Sequence, residues 1–431
     1  MTTAKVKLWG RIIGAVTWLD DRQIGVFEYE PAFLKSGIEI APLSMRLAPG
    51  PFSFPALPFE TFKGLPGLLA DTLPDKFGNR LVDGWLAAQG RSSASFNPVE
   101  RLCYVGTRGM GALEFEPALS PKATRGRSVD VAQLVGLANR ALDERAGLTG
   151  AFDGVDDARA IEDILRVGTS AGGARAKAII AWNPDTGAFR SGQIETGSGF
   201  SYWLMKFDGV SGNRDKELAD PQGFGRIEYA YSLMAKAAGI TMMDCRLHEE
   251  GGRAHFMTRR FDRTQQGAKR HMLSLCAMRH WDFNDAGAYS YEQAIETIRL
   301  LSLPRADVGQ QVRRAFFNIL ARNQDDHVKN IAFLMDKTGQ WSLSPAFDIA
   351  YAYNPTGDWT SRHQMSLNGK RDNYTREDLI EFARFAGLKA RQALALFDEV
   401  CACLEGWATF AAVSGVAEAD AARIGRAFRS L

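Results

Sequence analysis

Cysteine is scarce in this chain, and its placement argues against cross-linking. Among 431 residues there are only five cysteines, at Cys103, Cys245, Cys276, Cys401 and Cys403. Their number is odd and no two form a C-x-x-C pair, so neither a disulfide framework nor a structural zinc site is expected. We expect free, buried thiols and a reducing compartment.

Long apolar runs are also lacking. No stretch approaches the roughly 18 to 20 apolar residues that a membrane span needs. The N-terminal sequence "MTTAKVKLWGRIIGAVTWLDD" has a broken apolar stretch followed by an aspartate pair, which indicates strand, turn and strand rather than a signal peptide. The formal net charge of +2 neither requires nor excludes nucleic acid. We therefore expect a cytoplasmic protein that does not associate with membranes.

Several catalytic motifs are absent as well. The chain has no G-x-x-x-x-G-K-[ST] Walker A loop and no G-x-S-x-G elbow of the Ser-His-Asp hydrolases. Asp325, Asp326 and His327 could ligate a metal, but the other five histidines show no H-x-x-x-H spacing. Zinc hydrolysis and Ser-His-Asp catalysis are therefore disfavoured.

The chain is too long for one compact core, and its patterns divide it into three regions. Residues 1–120 predict a small domain with strands and a helix from Asp75 to about Gln89. A polar, basic linker follows at about 118–130. Residues 121–265 begin with helical patterning at "DVAQLVGLANRALDERAG" and then, from about 165, alternate strand-like runs with one further helix, "RIEYAYSLMAKAAG". Residues 266–431 are mainly helical.

Two glycine-rich stretches have competing interpretations. In "GTRGMGALEFEP", a tight turn against a neighbouring domain is favoured over phosphate binding. In "GTSAGGARAK", Gly172 and Gly173 would let backbone N–H groups approach an anion, and Lys177 would add a charge. An ordinary turn remains the alternative for this second stretch.

A lysine inside an apolar strand is the next candidate. Lys206 lies in "YWLMKFD", where burial of its charge is costly unless it meets a carboxylate or an anion. Glu228 in the following helix is a possible partner, as in the strand-lysine to helix-glutamate pair of protein kinases. The alternative is an edge-strand lysine that reaches water.

The cluster "ARNQDDHVKN" sits between two apolar runs and has the spacing of a kinase catalytic loop. Asp325 and Asn330 are separated as D-x-x-x-x-N, which would supply a proton acceptor and a magnesium ligand. Asp326 is one residue short of that spacing, so we expect it to be an exposed neighbour. Asp348 follows a predicted hairpin, where a second magnesium-binding aspartate is expected. A solvated turn is the alternative for the cluster alone.

Taken together and in this order, "SAGGARAK", "WLMKF", "RRFDR", "NQDDHVKN" and "LSPAFDIAY" resemble the HipA family of serine/threonine kinase toxins. The resemblance covers nearly the whole chain, because "FKGLPGLLADTLPDKFGNRLV" and "VGTRGMGALEFEP" match the family's N-terminal domain. It implies an α+β, protein-kinase-like bilobal fold with an N-terminal α/β subdomain and an all-α C-terminal lobe. It also implies ATP and Mg²⁺ as cofactors.

The resemblance assigns roles to residues of this chain. Asp325 would be the catalytic base, and Asn330 and Asp348 would bind Mg²⁺. Ser170 matches the family's autophosphorylated serine, whose modification expels the phosphate-covering loop and silences the kinase. The implied ATP-binding residues are Gly172, Gly173, Ala174, Arg175, Ala176, Lys177, Lys206, Arg259, Arg260, Phe261, His327, Lys329, Asn330, Phe347 and Asp348.

The resemblance also implies partners. Family members work with a small helix-turn-helix antitoxin of the HipB kind, through which they reach operator DNA, and known targets are aminoacyl-tRNA synthetases. Two other interpretations stay open. One is a small-molecule or lipid kinase, because D-x-H-x-x-N also resembles the loop of phosphoinositide kinases. The other is an inactive kinase fold that serves as a DNA-bound corepressor.

Overall fold

The computed structural model describes residues 1–119, 130–142, 175–193, 196–210, 214–215, 218–219 and 222–431. Ser170, Gly172, Gly173, Ala174 and nearly all of the expected linker lie outside the described residues.

The N-terminal region is a five-stranded antiparallel sheet covered by short helices. Its elements are β1 Thr2–Leu8, β2 Arg11–Leu19, β3 Ile24–Tyr29, α1 Pro31–Leu34, β4 Pro51–Phe52, α2 Phe59–Phe62, α3 Gly67–Ala70, α4 Lys76–Ala88, a 3₁₀ turn Ser93–Ser95, α5 Pro98–Val105 and β5 Leu113–Glu116. The sheet order is β4-β3-β2-β1-β5. The β1–β2 connection is tight because Trp9 and Gly10 both take positive φ, which suits a two-residue hairpin. The predicted strands and the helix capped by Asp75 are confirmed.

The middle region is built around a second five-stranded sheet. Its elements are α6 Val131–Leu142, β6 Lys177–Trp182, β7 Phe189–Ser191, β8 Ser201–Lys206, β9 Arg214–Asp215, β10 Leu218–Ala219, α7 Phe224–Ala237, β11 Cys245–Glu250 and β12 Arg253–Arg259. The sheet order is β11-β12-β8-β6-β7. The interior strand β6 is almost wholly buried, so its apolar run follows from contact on both faces.

The third region is mainly helical but contains a sheet. Its elements are β13 His271–Ser274, α8 Leu275–Arg279, α9 Tyr291–Leu300, α10 Arg305–Leu320, a 3₁₀ turn Val328–Asn330, β14 Ala332–Met335, β15 Trp341–Leu343, α11 Arg376–Phe385, α12 Ala390–Glu405, α13 Trp407–Val413 and α14 Glu418–Ala427. Strands β13, β14 and β15 form a three-stranded antiparallel sheet. The prediction of an all-α C-terminal lobe is therefore wrong. All four β14 residues are buried, and pairing on both sides satisfies backbone groups that could not reach water.

Two apolar cores hold these regions together. The larger one joins the N-terminal sheet to α7 and to the helical region. The smaller one packs α4, α5 and α6 against β6, β8 and neighbouring residues. Because α4 belongs to the N-terminal region and β6 to the middle region, the smaller core connects these two regions.

The Gly-rich stretch before β5 makes the close approach that was predicted for it. Gly111 has φ 74°, and its N–H donates to Asp262 Oδ2 at 2.7 Å. A Cβ at this position would lie 3.2 Å from the Met272 backbone nitrogen. The prediction of a tight turn against a neighbouring region is confirmed.

Among the helices that the structure describes, none combines the length and apolar character needed to cross a bilayer. All five cysteines are free thiols, and Cys103 and Cys276 are buried.

Candidate active site

Lys206 lies between two carboxylates at the end of β8. Its Nζ donates to Glu228 Oε1 at 2.5 Å and to the carboxylate of Asp348. The predicted pair of strand lysine and helix glutamate is confirmed. Burial opposes the charge on Lys206, but Asp348 and Glu228 outweigh it and hold the pKa of this ammonium above its usual value.

Asp348 occupies a conformation that few non-glycine residues adopt. Its φ is 57°, in the left-handed region that aspartate tolerates better than most residues and that is enriched at functional sites. Desolvation opposes the charge of its carboxylate. Lys206, Lys177 and Arg175 nevertheless keep the Asp348 pKa well below its usual range. The side chain is 35% exposed, so the carboxylate remains open to a cation.

The described end of the expected phosphate loop also lies near Asp348. Lys177 Nζ is 3.2 Å from Asp75 Oδ2, and both side chains are almost completely buried. The Arg175 guanidinium stacks 3.7 Å from the Phe224 ring centroid. Ala176 is buried in the smaller core. The positive charges of Arg175, Lys177 and Lys206 therefore all act on the Asp348 carboxylate.

The cluster 321–330 forms a compact loop directly after α10. Asn330 Nδ2 donates to the Asp325 carbonyl at 2.9 Å. This bond uses the donor end of the amide, so the oxygen end remains to ligate a cation. Asp325 Oδ1 accepts a hydrogen bond from the Trp359 indole Nε1 at 2.6 Å, and His327 Nε2 lies 3.8 Å from the same oxygen.

Asp326 is not the exposed neighbour that the spacing suggested. It is 4% exposed and accepts hydrogen bonds from Tyr291 Oη at 2.7 Å and the Gln364 backbone N–H at 2.7 Å. His363 Nδ1 is 2.8 Å from its Oδ2. Desolvation opposes its charge, but His363, Tyr291 and Gln364 hold the Asp326 pKa below its usual value. The prediction failed because these partners are distant in sequence.

The other residues implied for ATP binding lie in three places. His327 and Lys329 both face Phe283, with the His327 ring centroid at 5.3 Å and the Lys329 ammonium at 5.0 Å. Phe261 and Phe347 pack together, with ring centroids 5.4 Å apart.

Arg259 and Arg260, which the resemblance implies for ATP binding, both have acidic neighbours. Arg259 NH1 lies 3.6 Å from Asp244 Oδ2. The Arg260 guanidinium makes two hydrogen bonds to Asp262, at 2.8 and 2.7 Å. The Arg260 side chain is therefore engaged within the protein.

The donor set of the cleft fits magnesium. Asn330 and Asp348 line the same cleft, which has about 360 Å³ of empty space, part of it continuous with solvent. One carboxylate and one amide oxygen are what a protein supplies when substrate phosphates and water complete the shell of Mg²⁺. Among the described residues, no group of three or more His, Cys, Asp or Glu side chains could hold a metal ion.

Sequence reasoning missed three residues that shape this site. Asp75 was considered only as a helix start, yet it pairs with Lys177. Trp359 lies 34 positions from Asp325 in the chain, and no local pattern connects them. For Asp326 the sequence did contain a clue, because a carboxylate next to buried residues needs hydrogen-bond donors. The sequence did not show which residues would donate.

Comparison with known proteins identifies the fold and then the family. A chain in the structure of the Shewanella oneidensis MR-1 toxin–antitoxin system HipA, HipB and its operator DNA matches with a TM-score of 0.64 and 17% identity, covering 98% of this chain and 94% of that chain. At that identity the likeness shows the fold: a mixed α/β protein of the HipA type. The Helicobacter pylori proinflammatory kinase CtkA aligns with a TM-score of only 0.32 and 11% identity, covering 59% of this chain and 93% of that chain.

The family models then assign the chain. The HipA-like C-terminal domain matches residues 169–408 and the HipA N-terminal domain matches residues 4–116. The chain therefore belongs to the HipA family. No curated protein sequence matches it significantly.

Proposed function

We propose that this chain is an ATP- and Mg²⁺-dependent serine/threonine protein kinase that acts as the toxin of a toxin–antitoxin pair. The observation that carries the proposal is the ion-pair group of Lys206, Glu228 and Asp348. It borders a cleft that Asn330 also lines. In kinase-like phosphotransferases, a strand lysine paired with a helix glutamate and two metal-binding side chains serve the same reaction.

Each residue of the site has its own role in the proposed phosphoryl transfer. Bound Mg²⁺·ATP supplies the phosphoryl group and neutralises charge on its oxygens. Asp348 and the Asn330 amide oxygen hold the cation, and Lys206 binds phosphate oxygens while Glu228 keeps the ammonium in place. Asp325 orients the substrate hydroxyl and accepts its proton on the carboxylate. Because the protein contributes mainly positioning and charge, small displacements of these groups should cost much rate.

The test is phosphate incorporation from radiolabelled ATP in matched aspartate variants. Asp325→Asn and Asp348→Asn change one atom each and should lower the autophosphorylation rate at least 100-fold, as for loss of a catalytic acid–base group. Asp398→Asn is the control, because Asp398 is exposed and pairs with Arg376, at 3.2 Å, on the surface. Undiminished labelling in both site variants would contradict the proposal.

The regulatory part of the proposal rests on the family resemblance. It holds that Ser170 becomes phosphorylated and that this silences the kinase, because a phosphate adds charge and acceptors within an anion-binding loop. Mass spectrometry of the protein after incubation with ATP tests it. Phosphate found only at other positions would refute the role of Ser170.

The partners belong to the proposal too. The matched Shewanella structure contains HipB and operator DNA, so we expect a HipB-like helix-turn-helix antitoxin to bind this chain and link it to operator DNA. Within the proposal the protein acts in the cytoplasm, and its protein substrate is of the aminoacyl-tRNA synthetase class. Labelling of lipids instead of proteins would favour a lipid kinase, and ATP binding without transfer would favour a corepressor.

A further inference from the structure

Asp326 lines the cleft, and buried hydrogen bonds connect it with the last residues of the chain. His363 is fully buried and lies between Asp326 and Arg429, with Nδ1 2.8 Å from Asp326 Oδ2 and Nε2 2.8 Å from Arg429 NH1. Asp326 belongs to the same loop as Asp325, the expected base. The far end of the hydrogen-bonded chain is therefore outside the cleft, while its near end is one residue from the reacting groups.

The partners of His363 fix its tautomer. A guanidinium can only donate, so Nε2 must accept from Arg429. The proton of the neutral ring is then on Nδ1, which donates to Asp326. Burial lowers the pKa of His363, and the positive charge of Arg429 opposes a second proton. His363 thus presents one donor to Asp326 and no other orientation satisfies both neighbours.

Arg429 is held to the helix that leads into the loop. Its NH1 donates to the Ile319 carbonyl at 2.5 Å, and its backbone N–H donates to the Leu320 carbonyl at 2.9 Å. Its NH2 pairs with Asp372 Oδ1 at 2.6 Å. These bonds cap the C-terminal end of α10, whose last carbonyls lack partners within the helix. The positive charge of Arg429 at this end also interacts favourably with the helix dipole, whose negative end lies at the C-terminus.

A second set of bonds reaches Asp326 from the opposite side. Tyr291 donates its hydroxyl proton to Asp326 and accepts from Asn318 Nδ2 at 3.0 Å. Asn318 Oδ1 in turn accepts from Asn323 Nδ2 at 2.9 Å. Asp326 is therefore held between α9, α10 and the segment that carries His363.

We propose that Asp326, His363 and Arg429 are positioning residues that fix the loop so that the Asp325 carboxylate faces the substrate hydroxyl. The inference rests on the proposed kinase function and adds a role for groups that touch neither nucleotide nor metal. Two adjacent acids divide the tasks: Asp326 is held by three donors, and its neighbour Asp325 is the expected base. Apolar residues of similar volume would provide equal or greater stability at such a buried position, whereas directional bonds fix an orientation.

A histidine series separates positioning from packing. His363→Asn keeps a donor near the position of Nδ1, His363→Gln moves the donor toward the position of Nε2, and His363→Leu has none. We expect the Asn variant to stay within about threefold of the wild-type turnover, and the Gln and Leu variants to fall roughly tenfold or more. The KM for ATP should change little, because Lys206 and Asp348 are untouched. Rates are the initial rates of phosphate incorporation, divided by the fraction of molecules that bind a fluorescent ATP analogue.

A hydroxyl pair gives a second arm that preserves the core. Tyr291→Phe removes the bond to Asp326 and the bond that Asn318 Nδ2 donates to this hydroxyl, and it should lower turnover about threefold or more, again with the KM for ATP unchanged. Tyr374→Phe is the matched control: Tyr374 is equally buried and packs against the His363 ring. Its hydroxyl, however, donates to the Lys370 carbonyl at 3.0 Å. This control should keep wild-type turnover.

The outcomes distinguish the inference from the proposed function. A wild-type protein that transfers no phosphate overturns both. An active wild type with equal turnover in the Asn, Gln and Leu variants overturns the inference alone, and so does equal loss in Tyr291→Phe and Tyr374→Phe. If the histidine variants do not fold, the tyrosine pair decides. Selective rescue by Asn, together with loss in Tyr291→Phe alone, supports positioning.

Discussion

Lys177 and Lys206 lie directly opposite each other on the paired strands β6 and β8. Two like charges at such a cross-strand position are destabilising by themselves. Here Asp75 approaches Lys177, while Glu228 and Asp348 approach Lys206. Lys177 thus connects β6 with Asp75 of the N-terminal region. Lys206, at the same position of the sheet, connects β8 with Asp348 of the cleft.

The first prediction concerns the Lys177–Asp75 pair. Lys177→Met should lower the free energy of unfolding by about 3 kcal/mol, because it leaves the Asp75 carboxylate buried without its counter-charge. Adding Asp75→Asn to this variant should recover part of the loss, since Asn can still accept the helix-capping bond that Gly78 N–H donates to Asp75. Urea unfolding of both variants measures the difference.

The control for this pair is Asp398→Asn, which breaks an exposed ion pair and should cost less than about 1 kcal/mol. If Lys177→Met costs no more than this control, the pair does not stabilise the connection between the two regions. Parallel ATP-binding measurements on Lys177→Met test the separate role of Lys177 as a phosphate contact.

The second prediction concerns the Trp359 indole. Its N–H can only donate, and the bond to Asp325 Oδ1 restricts rotation of this carboxylate. Trp359→Phe should lower turnover roughly threefold to tenfold by allowing the carboxylate to rotate. Trp341→Phe is the control, because its indole N–H donates to the Glu39 carbonyl at 3.1 Å and not to Asp325. A rate increase in Trp359→Phe would instead mean that the indole blocks the substrate hydroxyl.

The sequence predicted the parts of the site that depend on local pattern. Lys206 was identified because a charge within an apolar strand needs a partner, and Glu228 lay at the right place in the next helix. Spacing alone selected Asp325 over Asp326 as the expected base, and this choice stays a prediction; the bond from Asn330 Nδ2 to the Asp325 carbonyl was not foreseen. The hairpin between Asn330 and Asp348 followed from two short apolar runs.

What the sequence could not predict depends on contacts between distant segments. Asp326 was expected to be exposed, because no local rule connects it with Tyr291 or His363. The all-α C-terminal lobe was implied by the family resemblance, although the sequence already predicted the hairpin of β14 and β15; β13 has only four residues, too few to show a period. Its pairing with β14 became visible only once the chain was folded.

The third prediction is a pH dependence of stability. His271 is fully buried, its Nε2 lies 2.9 Å from the Ile40 carbonyl, and burial lowers its pKa to about 4. In the unfolded chain the pKa of histidine is about 6.5. Between these values the unfolded state binds more protons, so stability falls as the pH falls. From pH 7 to pH 5 this one histidine should cost about 2 kcal/mol.

His271→Gln isolates this effect, because glutamine can donate to the Ile40 carbonyl but does not titrate. Urea unfolding at pH 7 and pH 5 should show a smaller loss in the variant by about 2 kcal/mol. His255 and His280, whose pKa values burial also lowers to about 4, contribute equally to both proteins and cancel in the comparison. An identical loss in wild type and variant would contradict the prediction.

The last prediction concerns Asp262, which connects the Gly-rich stretch of the N-terminal region with the segment after β12. It is fully buried and accepts hydrogen bonds from Arg260, from Arg263 NH1 at 2.7 Å and from the Gly111 N–H at 2.7 Å. Asp262→Asn should lower the free energy of unfolding by about 3 to 5 kcal/mol, because two buried guanidinium groups lose their counter-charge.

The matched control for Asp262→Asn is Asp244→Asn. The Asp244 side chain is 72% exposed and lies 3.6 Å from Arg259 NH1, so its substitution should cost less than about 1 kcal/mol.

The pH dependence adds an independent check. Desolvation opposes the charge of Asp262, but Arg260 and Arg263 hold its pKa far below the usual range. Its contribution is therefore present above the unfolded aspartate pKa of about 3.9 and declines only below it. The difference between wild type and Asp262→Asn should stay constant from pH 8 to about pH 5 and shrink in stronger acid. A constant difference in acid, or a cost no larger than that of Asp244→Asn, would show that Asp262 does not hold the two regions together through its charge.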